Sequence, residues 1–159
     1  MSDKLFTNPT GAYGYTADGD QAGQVVIEFR VKESSSGTAT VTRGEVVQID
    51  ANGHVSTNSA SETAFVVGVA LDTVSVPNNT SSAYTGPKTV RVCVLGLCQA
   101  QSDGGNDATA GTNLFASATG QVSAGVPTAG DYIVGQAIQS IGSTAGALVT
   151  ILVRPQKLF

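Results

Sequence analysis

The chain has 159 residues, a formal net charge of −4 and 13% charged residues, against roughly 25% in ordinary globular domains. That length suits one domain or two small fused lobes. Its eight Lys and Arg are scattered, which argues against nucleic acid or an anionic membrane as partner, and no apolar run reaches the roughly 18 residues a spanning helix needs.

Valine (20), glycine (19) and threonine (18) outnumber leucine (8), and tryptophan is absent. β-Branched side chains fit pleated sheets and small residues fit tight turns. The composition therefore predicts an all-β fold. Residues 1–23 are polar and glycine-rich, with no strand or helix period. They read as an extended N-terminal arm in which Tyr13 and Tyr15 could act as anchors, ahead of a β-domain over 24–159. No apolar leader core is visible in this stretch, so no secretory signal is expected.

Residues 24–32 form the cleanest strand. Val25, Ile27, Phe29 and Val31 would share one face, and Glu28, Arg30 and Lys32 the other. A turn at Ser34-Ser-Ser-Gly37 leads to strands over 38–42 and 45–50, the second ending in the hairpin signal Ala51-Asn-Gly53. The apolar stretch 64–76 contains Gly68. A glycine inside a strand marks a bulge, a bend or a close backbone approach. A polar loop over 77–87 carries two formal glycosylation sequons, at Asn78 and Asn79, and one aromatic, Tyr84. Residues 89–99 form the second strong strand, interrupted at Gly96. A linker over 101–111 follows. Pro155 should end the last strand, since it cannot donate to a ladder.

The second half of the chain re-reads the first. Gly44-Glu-Val-Val-Gln-Ile-Asp-Ala-Asn-Gly-His-Val55 aligns with Gly111-Thr-Asn-Leu-Phe-Ala-Ser-Ala-Thr-Gly-Gln-Val122 at an offset of 111 − 44 = 67. Phe65-Val-Val-Gly-Val-Ala70 falls on Tyr132-Ile-Val-Gly-Gln-Ala137 at the same offset. Val90, Val92 and Val94 then match Val149, Ile151 and Val153 at 149 − 90 = 59, so the second copy has lost 67 − 59 = 8 positions. The pseudo-repeats span about 43–100 and 111–154. Glycines and apolar positions survive between the copies and polar ones do not, which suggests a duplicated scaffold rather than a duplicated active site. Gly44, Gly53, Gly68, Gly111, Gly120 and Gly135 are its turns and bends. Two strand–hairpin–strand units could pack as a β-sandwich or close as a compact β-barrel, and both solutions remove sheet edges.

Candidate chemistry is sparse. His54 is the one histidine and sits beside a hairpin turn, where Gln121 replaces it in the second copy. The acid pairs Asp18/Asp20 and Asp103/Asp107 lie in glycine-rich loops, where acids serve as turn residues. Their spacing fits neither an EF-hand nor a calcium β-roll. Cys93 and Cys98 would point to opposite faces of a continuous strand, so they read as buried free thiols rather than a disulfide. No catalytic set, metal site or cofactor motif is expected, and the chain reads as an interaction protein, not an enzyme.

The ordered combination of Gly44–Val55, Val66-Val-Gly-Val-Ala70 and Thr89-Val-Arg-Val-Cys-Val-Leu-Gly96 resembles the small head-decoration, or capsid cement, proteins of tailed bacteriophages. The resemblance covers roughly 43–154. It implies a β-rich protein on the outer capsid surface of a virion, assembled in the host cytoplasm, that stabilises the mature shell. It further implies a homotrimer, the major capsid protein as partner, and no cofactor. The arm would then carry the capsid-binding residues, Phe6, Asn8, Pro9, Tyr13 and Tyr15. A phage fibre, baseplate or adhesin module that binds a cell-surface glycan is the alternative. Tyr84 is the lone loop aromatic in 77–87 that could stack on a sugar.

Overall fold

The computed structural model describes residues 23–34, 36–58, 65–78, 86, 88–105, 107–125 and 132–157. Among them are eleven strands and no helix: β1 (Val25–Arg30), β2 (Thr38–Val41), β3 (Val46–Ile49), β4 (Val55–Thr57), β5 (Val66–Ala70), β6 (Val74–Pro77), β7 (Thr89–Gln101), β8 (Asn113–Ala116), β9 (Val122–Ser123), β10 (Tyr132–Ala137) and β11 (Leu148–Lys157). The all-β class expected from composition is what forms. One large antiparallel sheet runs β4-β3-β5-β7-β11-β10-β8-β9, with β1 also paired to β7, and β2 and β6 form a separate ribbon.

The strand order reads the same from either end once the repeat is applied. β3, β4 and β5 correspond to β8, β9 and β10, and β11 repeats the first half of β7. The turn chemistry repeats with them. Gly44 N–H donates to Ala70 O at 2.8 Å and Gly111 N–H to Ala137 O at 2.7 Å. In the two hairpins Gly53 N–H donates to Asp50 O at 3.0 Å and Gly120 N–H to Ser117 O at 3.1 Å. Asp50 Oδ1 accepts from Asn52 N and His54 N, and Ser117 Oγ accepts from Thr119 N and Gln121 N. A carboxylate and a hydroxyl thus do the same local work, which is why the turns match although the residues differ.

The repeat reaches further in space than in the letters. β1 pairs with β7 as Arg30↔Thr89 through Val25↔Leu95. Residues 96–101 of β7 pair with β11 as Gly96↔Val153 through Gln101↔Leu148. Shifting Arg30 by 101 − 30 = 71 and Thr89 by 148 − 89 = 59 turns the first pairing into the second. Parallel bridges, Val31↔Val55 and Ser102↔Val122, then join the outer strands. Each half is therefore a ring of pairings. Barrel one is β4-β3-β5-β7-β1 and barrel two is β9-β8-β10-β11-β7. They share β7 and change over at Gly96, whose φ of 106° lies in the left-handed region. A Cβ there would meet the backbone of Gly23 and Gln24 at the start of β1.

Two cores fill the barrels. Val31, Val47, Val55, Ala70, Val90 and Val92 are in the first, under the β2–β6 ribbon. Leu114, Val122, Val134, Ala137, Val149 and Ile151 are in the second. Fully burying an aliphatic side chain contributes about 1.5–3 kcal/mol, so these positions dominate stability.

Several local expectations are corrected. Gly68 is the bulge and close approach expected of it, but the stretch 64–76 breaks at 71–73, which lets β5 serve the large sheet and β6 the ribbon. Ile27 is 41% exposed although it stays in register with Val92, and β1 carries a bulge at Val25/Val26. β11 continues through Pro155 to Lys157, with the proline at a register break between Gly135↔Val153 and Ile133↔Gln156. The segment 101–111 is not the junction of the copies, since it matches the β1–β2 connection, and the junction lies inside β7. Cys93 and Cys98 are both free and buried, but they enter the same core, because the backbone turns at Gly96 between them.

Candidate assembly interface

Val46, Val66, Val69 and Cys93 project from the outer side of barrel one and are buried with the core of barrel two. Backbone groups stitch this seam. Val46 N–H donates to Gly120 O at 2.6 Å and Gln101 N–H to Gly44 O at 2.7 Å. Gln101 Nε2 donates to Arg43 O at 2.8 Å. Asn58, fully buried, donates from Nδ2 to Ser117 O at 2.9 Å. Phe65 meets its repeat counterpart Tyr132 edge-on, with ring centroids 5.6 Å apart. Lys157 Nζ lies 5.8 Å from the centre of the Tyr132 ring.

The six scaffold glycines fall into three pairs. Gly68 and Gly135 are the close approaches. A Cβ on either would collide with a backbone carbonyl of the neighbouring strand, Cys93 O or Leu152 O, and both sit at register shifts. Gly44 and Gly111 have φ of 86° and 90°, and Gly53 and Gly120 have 79° and 74°. Within each of these two pairs the surroundings differ. Gly44 is crowded by Leu148 Cδ2, 2.6 Å from where a Cβ would stand, while Gly111 faces open space. Gly120 is crowded by Thr57 and Gly53 is open.

Charged side chains gather at one end of barrel one. Arg30, Lys32, Glu33, Asp50, Asn52 and His54 line a shallow cleft of about 330 Å³. Arg30 pairs with Glu33 at 2.8 Å, Lys88 with Glu33 at 3.4 Å and Lys32 with Asp50 at 3.7 Å. The Arg30 hydrogen bond holds Glu33 below its ordinary value, and the His54 backbone N–H does the same for Asp50. Arg91 grips Asp72 with both Nε and Nη2, at 2.8 and 2.7 Å, and lowers its carboxyl likewise. Hydrogen bonding with Cys93, then burial, raises the Cys98 thiol well above its usual range, which suppresses the reactive thiolate. Among the described residues no three His, Cys, Asp or Glu side chains gather where they could hold a metal ion. His54 lies in the mixed-charge cleft, and Asp103 Oδ1 accepts from Gly105 N–H as a turn residue.

The arm residues Phe6, Asn8, Pro9, Tyr13 and Tyr15 lie outside the described residues, as does Tyr84. Sequence reading missed Asn58, whose counterpart is Gly125, and the place of β1 in the repeat. For β1 only the alternation of apolar residues survives between copies, so letters alone gave no match.

The architecture defines a class: a duplicated antiparallel β-structure in which one long strand is shared by two small barrels. No protein-family model and no curated protein sequence matches the chain. Among solved structures the chain is similar to the head fiber gp8.5 N base of bacteriophage phi29. The TM-score is 0.53 at 18% identity, over 84% of this chain and 98% of that one. At that identity the likeness speaks for the fold.

Proposed function

We propose that the chain is a structural protein of a phage virion that binds the outer surface of the capsid and cements the mature shell. The observation that carries this reading is the fold shared along nearly the whole of a phage head fiber base. The sequence resemblance to capsid cement proteins points the same way from different evidence. In this reading the major capsid protein is the partner and three copies assemble on it as a trimer. Residues 1–23 act as the arm that grips neighbouring capsid subunits, and assembly takes place in the host cytoplasm without a cofactor or a catalytic step. An arm of this kind docks with modest affinity, and three arms on one trimer multiply it through effective concentration. A clamp that fits the expanded lattice better than its precursor shifts the shell toward the mature state.

The test is co-sedimentation with expanded capsids of the phage that encodes the chain. The full chain should pellet with capsids, and a variant lacking residues 1–23 should fold yet stay in the supernatant. Full binding by the truncated protein would remove the arm from the reading. A full chain that ignores capsids would end the reading itself.

A further inference from the structure

The contact between the two barrels is head-to-tail. It joins one face of barrel one, at Gly44, Val46, Thr57 and Asn58, to a different face of barrel two, at Gln101, Ser117, Gly120 and Leu148. Each face has a copy elsewhere on the chain. The first recurs on barrel two as Gly111, Asn113, Ala124 and Gly125, and the second on barrel one as Arg30, Asp50, Gly53 and Thr89. All eight copies are exposed or half-buried. Two unlike faces that fit each other and are both left over on one chain generate a closed ring or a filament.

We infer that the Gly111/Asn113 face of one copy of this chain docks on the Arg30/Gly53 face of a second copy, repeating between chains the contact the barrels make within one. This rests on the trimer reading above and names its seam. Three chains closed in this way present six barrels in a ring.

The match is made by backbone, which the duplication kept, rather than by side chains, which it lost. Within the chain, Val46 N–H donates to Gly120 O and Gln101 N–H to Gly44 O. The corresponding groups between chains are Asn113 N–H with Gly53 O, and Arg30 N–H with Gly111 O. Among the described residues none of these four groups makes a backbone hydrogen bond outside its own strand ladder. The glycine surroundings agree. Gly44 and Gly120 are crowded because the partner barrel is present, and Gly111 and Gly53 are open because theirs would be another chain.

The chemistry of the copies also suits a seam that closes after folding. Buried Val46 and Val69 become Asn113 and Gln136, and Gln136 Nε2 donates to Asn113 Oδ1 at 3.1 Å. Such polar substitution keeps the open face soluble until a partner arrives.

Two substitutions test the seam without breaking the turns. Asparagine tolerates the left-handed conformation, and both Gly53 and Gly111 have free space beside them. Gly53→Asn and Gly111→Asn should therefore fold, with the far-ultraviolet circular dichroism of wild type. They should also lose the oligomer that wild type shows in sedimentation velocity. Gly37→Asn and Gly146→Asn, at equally open left-handed positions with φ of 79° and 77°, should assemble as wild type does. Assembly of Gly53→Asn and Gly111→Asn at wild-type strength would overturn the seam and leave the trimer reading standing. A wild-type protein that stays monomeric at its highest soluble concentration would overturn both.

Discussion

Barrel one and barrel two share a backbone and differ in nearly everything polar. The comparison separates what the fold requires from what each copy has been free to change. Hydrogen bonds at the strand entry and at the hairpin recur to within 0.1 Å: 2.8 and 2.7 Å at Gly44 and Gly111, 3.0 and 3.1 Å at Gly53 and Gly120. The interiors differ in volume from site to site. Barrel two is larger at Leu114, Ile141 and Ile151, which stand for Val47, Val74 and Val92. It is smaller at Ala108 and Ala116, which stand for Val41 and Ile49. Phe29 likewise gives way to Ala100, and Val46, Val66 and Val69 of barrel one enter the second core and fill the space. Barrel one keeps the full β2–β6 ribbon, and barrel two reduces it to the single bridge Ala108↔Ile141, which takes the place of Val41↔Val74.

The largest expected effect tests whether the two copies are mechanically equivalent. Gly68→Ala and Gly135→Ala each place a methyl against a backbone carbonyl of the adjacent strand, which cannot move without shifting the sheet. Each should destabilise by about 3 kcal/mol, read as the shift of the guanidinium unfolding midpoint. If one variant is tolerated and the other is not, the halves are alike in outline but not in packing.

A smaller effect tests the packing of matched sites. Leu114→Val removes one methylene from a fully packed site, and Val47→Leu adds one to its counterpart. Each alone should cost about 1–2 kcal/mol. Gains from both single variants in thermal melts would mean that Leu114 is overpacked and Val47 underpacked.

The sequence displayed the repeat where backbone geometry dictates residue type. Glycine is favoured at the left-handed turns Gly53 and Gly120 and needed at the tight approaches Gly68 and Gly135, so those letters persist and the offset can be read. It hid the repeat where geometry leaves residue type free. β1 and the second half of β7 occupy the same place in the two barrels, yet Arg30 matches Gln101 and Val31 matches Ser102. The face reversal at Gly96 was equally hidden. An uninterrupted alternation puts Cys93 and Cys98 on opposite sides, and only the local backbone places both in one core. Pro155 misled for a similar reason, because a proline is tolerated where a ladder already breaks register.

Asn58 holds the barrels together from one side only, since Gly125 stands at its counterpart. Asn58→Ala would withdraw the donor from Ser117 O inside the seam and should cost about 2 kcal/mol. Hydrogen exchange would sharpen the comparison. Amides of the β8–β9 hairpin should lose protection before those of the β3–β4 hairpin. Equal loss in both hairpins would show that the seam transmits the damage and that the barrels unfold as one unit.

The smallest effect concerns an ion pair found in barrel one alone. Asp72 and Arg91 correspond to Gln139 and Thr150, which carry no charge. The Asp72 carboxyl is held low in the folded state by its hydrogen bonds from Arg91. Its contribution to stability is therefore full above the unfolded carboxylate value of about 3.9, and it fades as the pH falls toward the lower folded value. The side chains are about a third exposed, at 28% and 33%, so solvent screening limits the contribution to roughly 0.5 kcal/mol. Asp72→Asn should cost that much at neutral pH and nothing in acid, where the wild-type carboxylate is itself protonated. Unfolding midpoints measured from pH 7 downward should approach each other once the pH falls below about 3.9. Curves that stay parallel would mean that Asp72 acts through turn geometry at 71–73, where β5 gives way to β6, and not through its charge.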